Sequence, residues 1–369
     1  MENNENKKKK RLSVPKIILV SVLGLIVLGI LGVGGYTLIK LAGMSRNAVK
    51  TVDKPVIEQP EETPEPGVDI IEGDDLADID ITEDYDTPIN PKDIYADPIY
   101  SENQIDPNVI NILLLGDDGR DERDSGRSDS MMILSYNQET GEVKILSLLR
   151  DTWIYIPGRT QWNRINTAYR FGGVGLAINT INTNFDMDIQ YYMLVHFEDI
   201  KAITDTVGGV DVPLNQREVE YINAYSGSDN ILADIPEGVE TEMRHLDGLQ
   251  AFRHSRNRKL GNGDWSRTQR QRDILKGFYE RAKQEKNATS LASLMYSLMD
   301  YVETNMSPWQ MISLGTSIVF GKSGGAPQTA SMPFPGTWSY AYEGQMAVIH
   351  INIEKNRDAM HEFIFGKAD

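Results

Sequence analysis

Apolar and polar positions divide this chain into stretches of different character. From Ile17 to Ile39 every residue is uncharged, with Leu, Ile, Val and Gly dominating. That run of roughly 23 residues is long enough for a membrane-spanning helix, which needs about 20. It is too long for the apolar core of a signal peptide, so the pattern predicts an uncleaved anchor. From Thr51 to about Ile105 apolar residues thin out and Asp, Glu and Pro recur, as in Pro60-Glu61-Glu62-Thr63-Pro64-Glu65-Pro66. Such a segment cannot repay the entropy of ordering, and like charges keep it long, so a disordered tether is expected.

Folded periodicities begin near Pro107. Val109 to Leu115 is almost wholly apolar and stops at Gly116, the pattern of a buried strand. Ser130–Tyr136 and Val143–Leu148 predict two more strands around a turn at Asn137–Gly141, and Thr152–Ile156 a fourth. Asn166 opens a helical stretch that Gly172-Gly173 breaks and Val174–Asn184 resumes. Tyr191–Val195 reads as a strand, Phe197–Val207 as a helix ended by Gly208-Gly209, and Val210–Val212 as extended. The polar stretch from Leu214 to Arg244 carries no assignable period. A short helix over Leu246–Arg253 precedes a longer one reaching about Lys286. Ser307-Pro308 caps a helix over Trp309–Val319, and a strand over Gln345–Ile351 leads into a last helix, Asn352–Ile364. This alternation predicts an α/β fold, a three-layer α/β/α domain with a mixed central sheet. The expected division is a tail over 1–16, a transmembrane helix over 17–39, an acidic linker over 40–105 and a catalytic domain over 106–369.

Charge refines the picture. Lys and Arg number 37 against 54 Asp and Glu, a net charge of −17, most of it in the linker. That balance argues against a nucleic-acid partner. The block Lys7-Lys8-Lys9-Lys10-Arg11 precedes the apolar run, so the tail is expected in the cytoplasm and everything after Lys40 outside. The chain has no cysteine, which excludes disulfides and cysteine-based zinc sites, and its five histidines are scattered without metal-binding spacing.

Against this acidic background the stretch Arg253–Arg272 is dense in arginine. Arg256 and Arg258 lie two apart, so on an extended segment both leave one face. Arg267, Arg270 and Gln271 follow at i, i+3 and i+4, one face of a helix that Asp264 or Ser266 would cap. Paired guanidinium forks match phosphate oxygens two at a time. Elsewhere, Gly116-Asp117-Asp118-Gly119-Arg120 ends the first strand and Gly126-Arg127-Ser128-Asp129-Ser130 opens the second. Asp118 and Asp129 thereby flank one loop, and two such carboxylates suit Mg²⁺ or Mn²⁺. Arg150 follows the third strand. Together these groups would form a metal-plus-arginine clamp for a pyrophosphate.

These motifs, in this order, resemble the LytR-CpsA-Psr family, extracellular glycan phosphotransferases of bacterial cell walls. The likeness covers Asn108 to about Lys286 and includes Leu148-Leu149-Arg150-Asp151-Thr152 and Arg164-Ile165-Asn166-Thr167-Ala168-Tyr169. Arg164 stands where lysine is more usual. The resemblance implies transfer of a glycan phosphate from a polyprenyl-pyrophosphoryl glycan, a teichoic-acid or capsular-polysaccharide precursor, to a peptidoglycan sugar hydroxyl. It implies Asp118 and Asp129 as metal ligands, with Arg120, Arg150, Arg164, Arg256, Arg258, Arg267, Arg270 and Gln271 on the pyrophosphate. Arg150, Asp129 and Arg256 would carry the chemistry. Asp129 or a metal-bound hydroxide would serve as base, if one is needed. A tunnel for the polyprenyl tail is implied too, with Ile274, Leu275, Phe278, Leu291, Leu294, Met295 and Leu298 as candidate lining. Two other readings of the same residues are a lipid pyrophosphatase and a wall-binding module without turnover.

Overall fold

The structure, a computed structural model, describes residues 104–117, 128–159, 162–322 and 325–366. The expected tail, the anchor and nearly all of the linker lie outside the described residues. Among the described residues no helix is long and apolar enough to cross a membrane.

Strands β1 (Val109–Asp117), β2 (Ser128–Asn137) and β3 (Val143–Leu148) run antiparallel in sequence. Short β4 (Trp153–Tyr155) and β5 (Trp162–Arg164) pair with each other. Helix α1 (Thr167–Phe185) is kinked where Gly172 and Gly173 leave helical geometry, and β6 (Tyr191–His196) then lies parallel to β1. A lobe follows, made of α2 (Asp199–Thr206), β7 (Val210–Leu214), α3 (Gln216–Tyr225), β8 (Glu242–Leu246), α4 (Gly248–Arg256) and α5 (Asp264–Lys283). Then come α6 (Ala288–Leu298), β9 (Glu303–Thr304), α7 (Pro308–Phe320) and β10 (Gln328–Met332). A hairpin of β11 (Trp338–Glu343) and β12 (Met346–Ile351) leads into α8 (Ile353–Phe365). The central sheet is mixed, in the order β10-β3-β2-β1-β6-β9.

Period-two alternation on β1 assigns its faces. Val109, Leu113 and Leu115 join a core with Leu176 and Ile181 of α1 and Met360 and Ile364 of α8. Ile110, Ile112 and Leu114 point the other way, toward Met295, Met306, Met311 and Leu314. Both faces are therefore covered, which is why β1 reads as an unbroken apolar run. A separate cluster fills the lobe, around Val210, Val212, Leu246, Val219, Ile222 and Ile274.

Several expectations need correction. Arg256 is not on an extended segment, because the helix expected to stop at Arg253 runs Gly248–Arg256, opened by a capping box between Asp247 and Gln250. The unassigned polar stretch holds α3 and β8. Asn215 and Glu218 form a second capping box there, and only Val219 and Ile222 supply the apolar side, too few to impose a visible period. The long helix ends at Lys283, and Asn287 then caps α6, its side chain accepting from Thr289 and Ser290 amides. Neither Asp264 nor Ser266 caps α5. Gly263 does, with a φ of +50° that favours glycine, while the Ser266 hydroxyl accepts from the Asn262 amide at 2.7 Å.

Candidate functional site

The ends of β1, β2 and β3 meet the start of α5 at one edge of the sheet, where ligands of α/β folds collect. Gly116 permits this closeness: a Cβ there would sit 3.0 Å from Ser130 Cβ and 3.2 Å from the Phe197 ring.

Asp129, the second residue of β2, is the hub. Arg150 Nη1 donates to its Oδ1 at 2.6 Å and Arg258 Nη2 to its Oδ2 at 3.0 Å. Arg267 Nη2 donates to its backbone carbonyl at 3.0 Å. Asp264 is a second anion beside them, with its Oδ1 at 2.6 Å from Arg267 Nη2, 3.6 Å from Arg150 Nε and 3.9 Å from Arg258 Nε. Asp151 is a third, 3.6 Å from Arg150 Nε and 3.4 Å from Arg164 Nε. Three guanidiniums from three segments thus converge on two carboxylates.

The electrostatics follow from this crowding. Burial works against the Asp129 carboxylate, but Arg150, Arg267 and Arg258 outweigh it and hold its pKa at about 2. Burial likewise opposes the charge on Arg150, and Asp151, Asp129 and Asp264 more than restore it. Burial brings Arg267 down to about 10 despite Asp264, with Arg150 and Arg258 adding repulsion. Asp129, Arg150 and Arg267 all remain charged at neutral pH. The hydrogen bonding is incomplete: Arg150 Nε, Arg267 Nε and Gln271 Nε2 are buried donors without a hydrogen-bond acceptor. Buried polar atoms seldom go without partners, and donors clustered this way suit an anion with several oxygens.

The residues expected from sequence divide accordingly. Asp129, Arg150, Arg258 and Arg267 come together. Gln271 stands one turn along α5, its Oε1 accepting from Ser130 Oγ at 3.1 Å. Arg164 joins through Asp151 and grips the Ala347 carbonyl with Nε at 3.1 Å and Nη2 at 2.5 Å. Arg256 stays outside the ring, 5.6 Å from the Phe197 ring centre and 5.3 Å from that of Phe252. Arg270 points elsewhere: its Nε donates to Glu218 at 2.7 Å, Nη1 to the Asn257 carbonyl at 2.8 Å and Nη2 to the Leu260 carbonyl at 2.9 Å. Helical spacing alone placed it with Arg267, but its donors serve the lobe. Asp118 and Arg120 lie outside the described residues. Asp264 acquires a role that its reading as a cap did not include. The signal for it was its position three residues before Arg267, where an ion pair forms along a helix.

Among the described residues no group of three or more His, Asp and Glu side chains is placed to hold a metal ion. The donor set still suits a hard cation shared with a phosphate. Asp129 is ionised, and Asp264 Oδ2 is buried without a hydrogen-bond donor, while its Oδ1 faces Arg267. The residues expected to line a tunnel fall into two clusters. Ile274, Phe278, Leu294 and Leu298 pack into the lobe, whereas Met295 faces the sheet with Met193, Met306 and Met311.

A family model described as the LytR_cpsA_psr family matches residues 83–358. A polyisoprenyl-teichoic acid–peptidoglycan teichoic acid transferase, TagU of Bacillus cereus (strain AH820), is 34% identical over 206 residues, 56% of this chain and 63% of the relative. TagU of Enterococcus faecalis (strain ATCC 700802 / V583) is 30% identical over 220 residues, 58% of this chain and 67% of that one. The chain therefore spans less than two thirds of the Bacillus relative's length. Among solved structures, B. subtilis TagV superposes with a TM-score of 0.56 at 25% identity, over 71% of this chain and 99% of that one. YwtF (TagT) with bound octaprenyl pyrophosphate lipid shares the fold, with a TM-score of 0.54 at 20% identity over 73% of this chain and 96% of that one.

Proposed function

This chain belongs to the LytR-CpsA-Psr family, and we propose that it moves a glycan phosphate from a polyprenyl-pyrophosphoryl glycan onto a sugar hydroxyl of peptidoglycan. It would do so outside the cell, anchored through Ile17–Ile39. The observation that carries this reading is the ring of Arg150, Arg258 and Arg267 around Asp129 and Asp264, with buried donors left over.

In the proposed step the acceptor oxygen attacks the sugar-linked phosphorus. A new phosphorus–oxygen bond forms, the bond to the bridging oxygen breaks, and polyprenyl phosphate leaves with the electron pair and takes up the hydroxyl proton. Phosphoryl transfer of this kind depends on positioning and charge neutralisation. Arg150, Arg258 and Arg267 would turn from carboxylates to the pyrophosphate oxygens, with Gln271 adding its amide. Asp118 and Asp129 would hold Mg²⁺ or Mn²⁺, which would supply further neutralisation of the pyrophosphate. A carboxylate held at about 2 is a feeble proton acceptor at neutral pH, so Asp129 is assigned to holding cations and not to deprotonating the hydroxyl. The methionine-bearing side of the sheet, with Ile112, Met193, Met295, Met306 and Met311, offers an adaptable apolar seat for the polyprenyl tail.

The test gives the full chain a synthetic lipid-pyrophosphate glycan, Mg²⁺ and peptidoglycan fragments, and follows both polyprenyl phosphate release and glycan attachment by mass. Attachment that is lost with EDTA and restored by Mg²⁺ is the expected result. Release of monophosphate without attachment would replace the transferase by a pyrophosphatase.

A further inference from the structure

An aromatic stripe leads away from the arginine ring. Trp338, Tyr340 and Tyr342 alternate along β11, so all three leave one face of the hairpin, spaced about 7 Å apart. Tyr340 and Tyr342 are 47% and 57% exposed, far too open for core. Trp265 extends the stripe into the site, since it follows Asp264 directly in α5. Its indole lies 5.1 Å from the Trp338 ring, and its Nε1 donates to the Tyr340 hydroxyl at 3.1 Å. Trp338 and Tyr340 meet edge to face at 5.0 Å. The other end is pinned as well: the Ala347 carbonyl that Arg164 grips belongs to the residue paired with Tyr342. One helix turn and one guanidinium thus hold this stripe in fixed register with Asp264, Asp151 and the guanidiniums they pair.

We propose that this stripe is the seat of the acceptor, a peptidoglycan glycan strand whose sugar rings stack on Tyr342, Tyr340 and Trp338 and bring a hydroxyl to the arginine ring. The inference rests on the transferase reading above. Aromatic faces with polar edges suit pyranose rings, which present apolar C–H faces and hydroxyl rims. Direction selects the acceptor over the donor's own glycan. The hydroxyl must arrive in line with, and opposite to, the departing polyprenyl phosphate. The hairpin roots on the α1 and α8 side of the sheet, where Ile351 packs. The methionine-bearing seat lies on the other side. An acceptor on the stripe therefore comes from the side away from the lipid.

The experiment uses the full chain and an uncross-linked GlcNAc-MurNAc tetrasaccharide without donor, followed by saturation-transfer NMR and tryptophan fluorescence. Tyr340→Ser/Tyr342→Ser should weaken saccharide binding on the order of tenfold, the loss typical of truncated contact aromatics. In the transfer assay the same variant should raise the acceptor KM by a similar factor while kcat and the donor KM hold. Trp309→Ser, an equally exposed aromatic (59%) on α7, should bind saccharide as the parent does. Unchanged saccharide binding in the double variant overturns the proposal. So does a raised donor KM with a constant acceptor KM, which would give the stripe to the donor glycan. Stripe-dependent saccharide binding in a chain that transfers nothing would uphold this seat and sink the transferase reading.

Discussion

Arg267 and Arg270 sit three residues apart on one helix and do opposite work. Both are buried. Arg270 has each of its terminal groups committed, to Glu218 and to two carbonyls, and so ties α5 to α3 and to the loop after α4. Arg267 has two carboxylates beside it, two rival guanidiniums nearby, and a buried Nε with no acceptor. The first is a completed structural bond; the second is a charge held in readiness. What separates them is the completeness of their bonding, for burial and spacing are the same.

The sharpest test of this contrast is Arg270→Ala. It strands Glu218 in the lobe and should cost about 3–5 kcal/mol of stability by urea unfolding. A joint Arg270→Met/Glu218→Met change should recover most of that, because it removes both charges. A stable Arg270→Ala chain that has lost transfer would instead give both arginines one role. Next comes acidification. Burial holds His254 at about 4 with neither ring nitrogen hydrogen-bonded, in the same lobe, where Glu218 opposes the shift and Arg270 adds to it. Its folded pKa lies below the free value of 6.5, so the unfolded chain binds the extra proton. Stability is full above about 6.5 and falls by about 3 kcal/mol as pH drops to about 4. Asp129, depressed from 3.8 to about 2, keeps its contribution until pH falls through that lower range. Acid should thus loosen the lobe before the arginine ring, and His254→Gln should flatten the denaturation series between pH 6.5 and 4. Arg258→Ala follows, with transfer reduced about a hundredfold in kcat, as for loss of one charge-stabilising donor, and little change in melting temperature. The smallest effect belongs to Arg164→Lys. A lysine loses the fork on Ala347 and keeps the charge near Asp151, so a change of under about 1 kcal/mol in stability and a few-fold in transfer are expected.

Much of this was legible in the chain. The three antiparallel strands, the glycine break in α1 and the Ser307-Pro308 cap announced themselves because period and turn chemistry agreed locally. So did Asp129, Arg150 and Arg267, which sit at the start of β2, just past the end of β3 and in the first turn of α5, whereas Arg258 lies in the loop two residues past α4. Arg270 misled because spacing gives a face and not a partner, and its partner Glu218 lies 52 residues away in a stretch with almost no apolar signal. The aromatic hairpin stayed hidden for a related reason. Trp338, Tyr340 and Tyr342 alternate with small or polar residues, but their meaning comes from Trp265, far off in sequence and next to the site only in the fold.

One consequence of the arginine ring concerns selection among anions. Its guanidiniums are neutralised by Asp129, Asp264 and Asp151 before any ligand arrives. Binding is therefore an exchange, in which a newcomer must outcompete carboxylates already in contact. A single phosphodiester, with one charge, gains little by such a trade; a pyrophosphate, presenting several oxygens at once, gains at every arginine. The acidic residues thus act as a threshold. In the proposed reaction they would pass over single phosphodiesters, and a product whose charge has dropped from pyrophosphate to diester would be released.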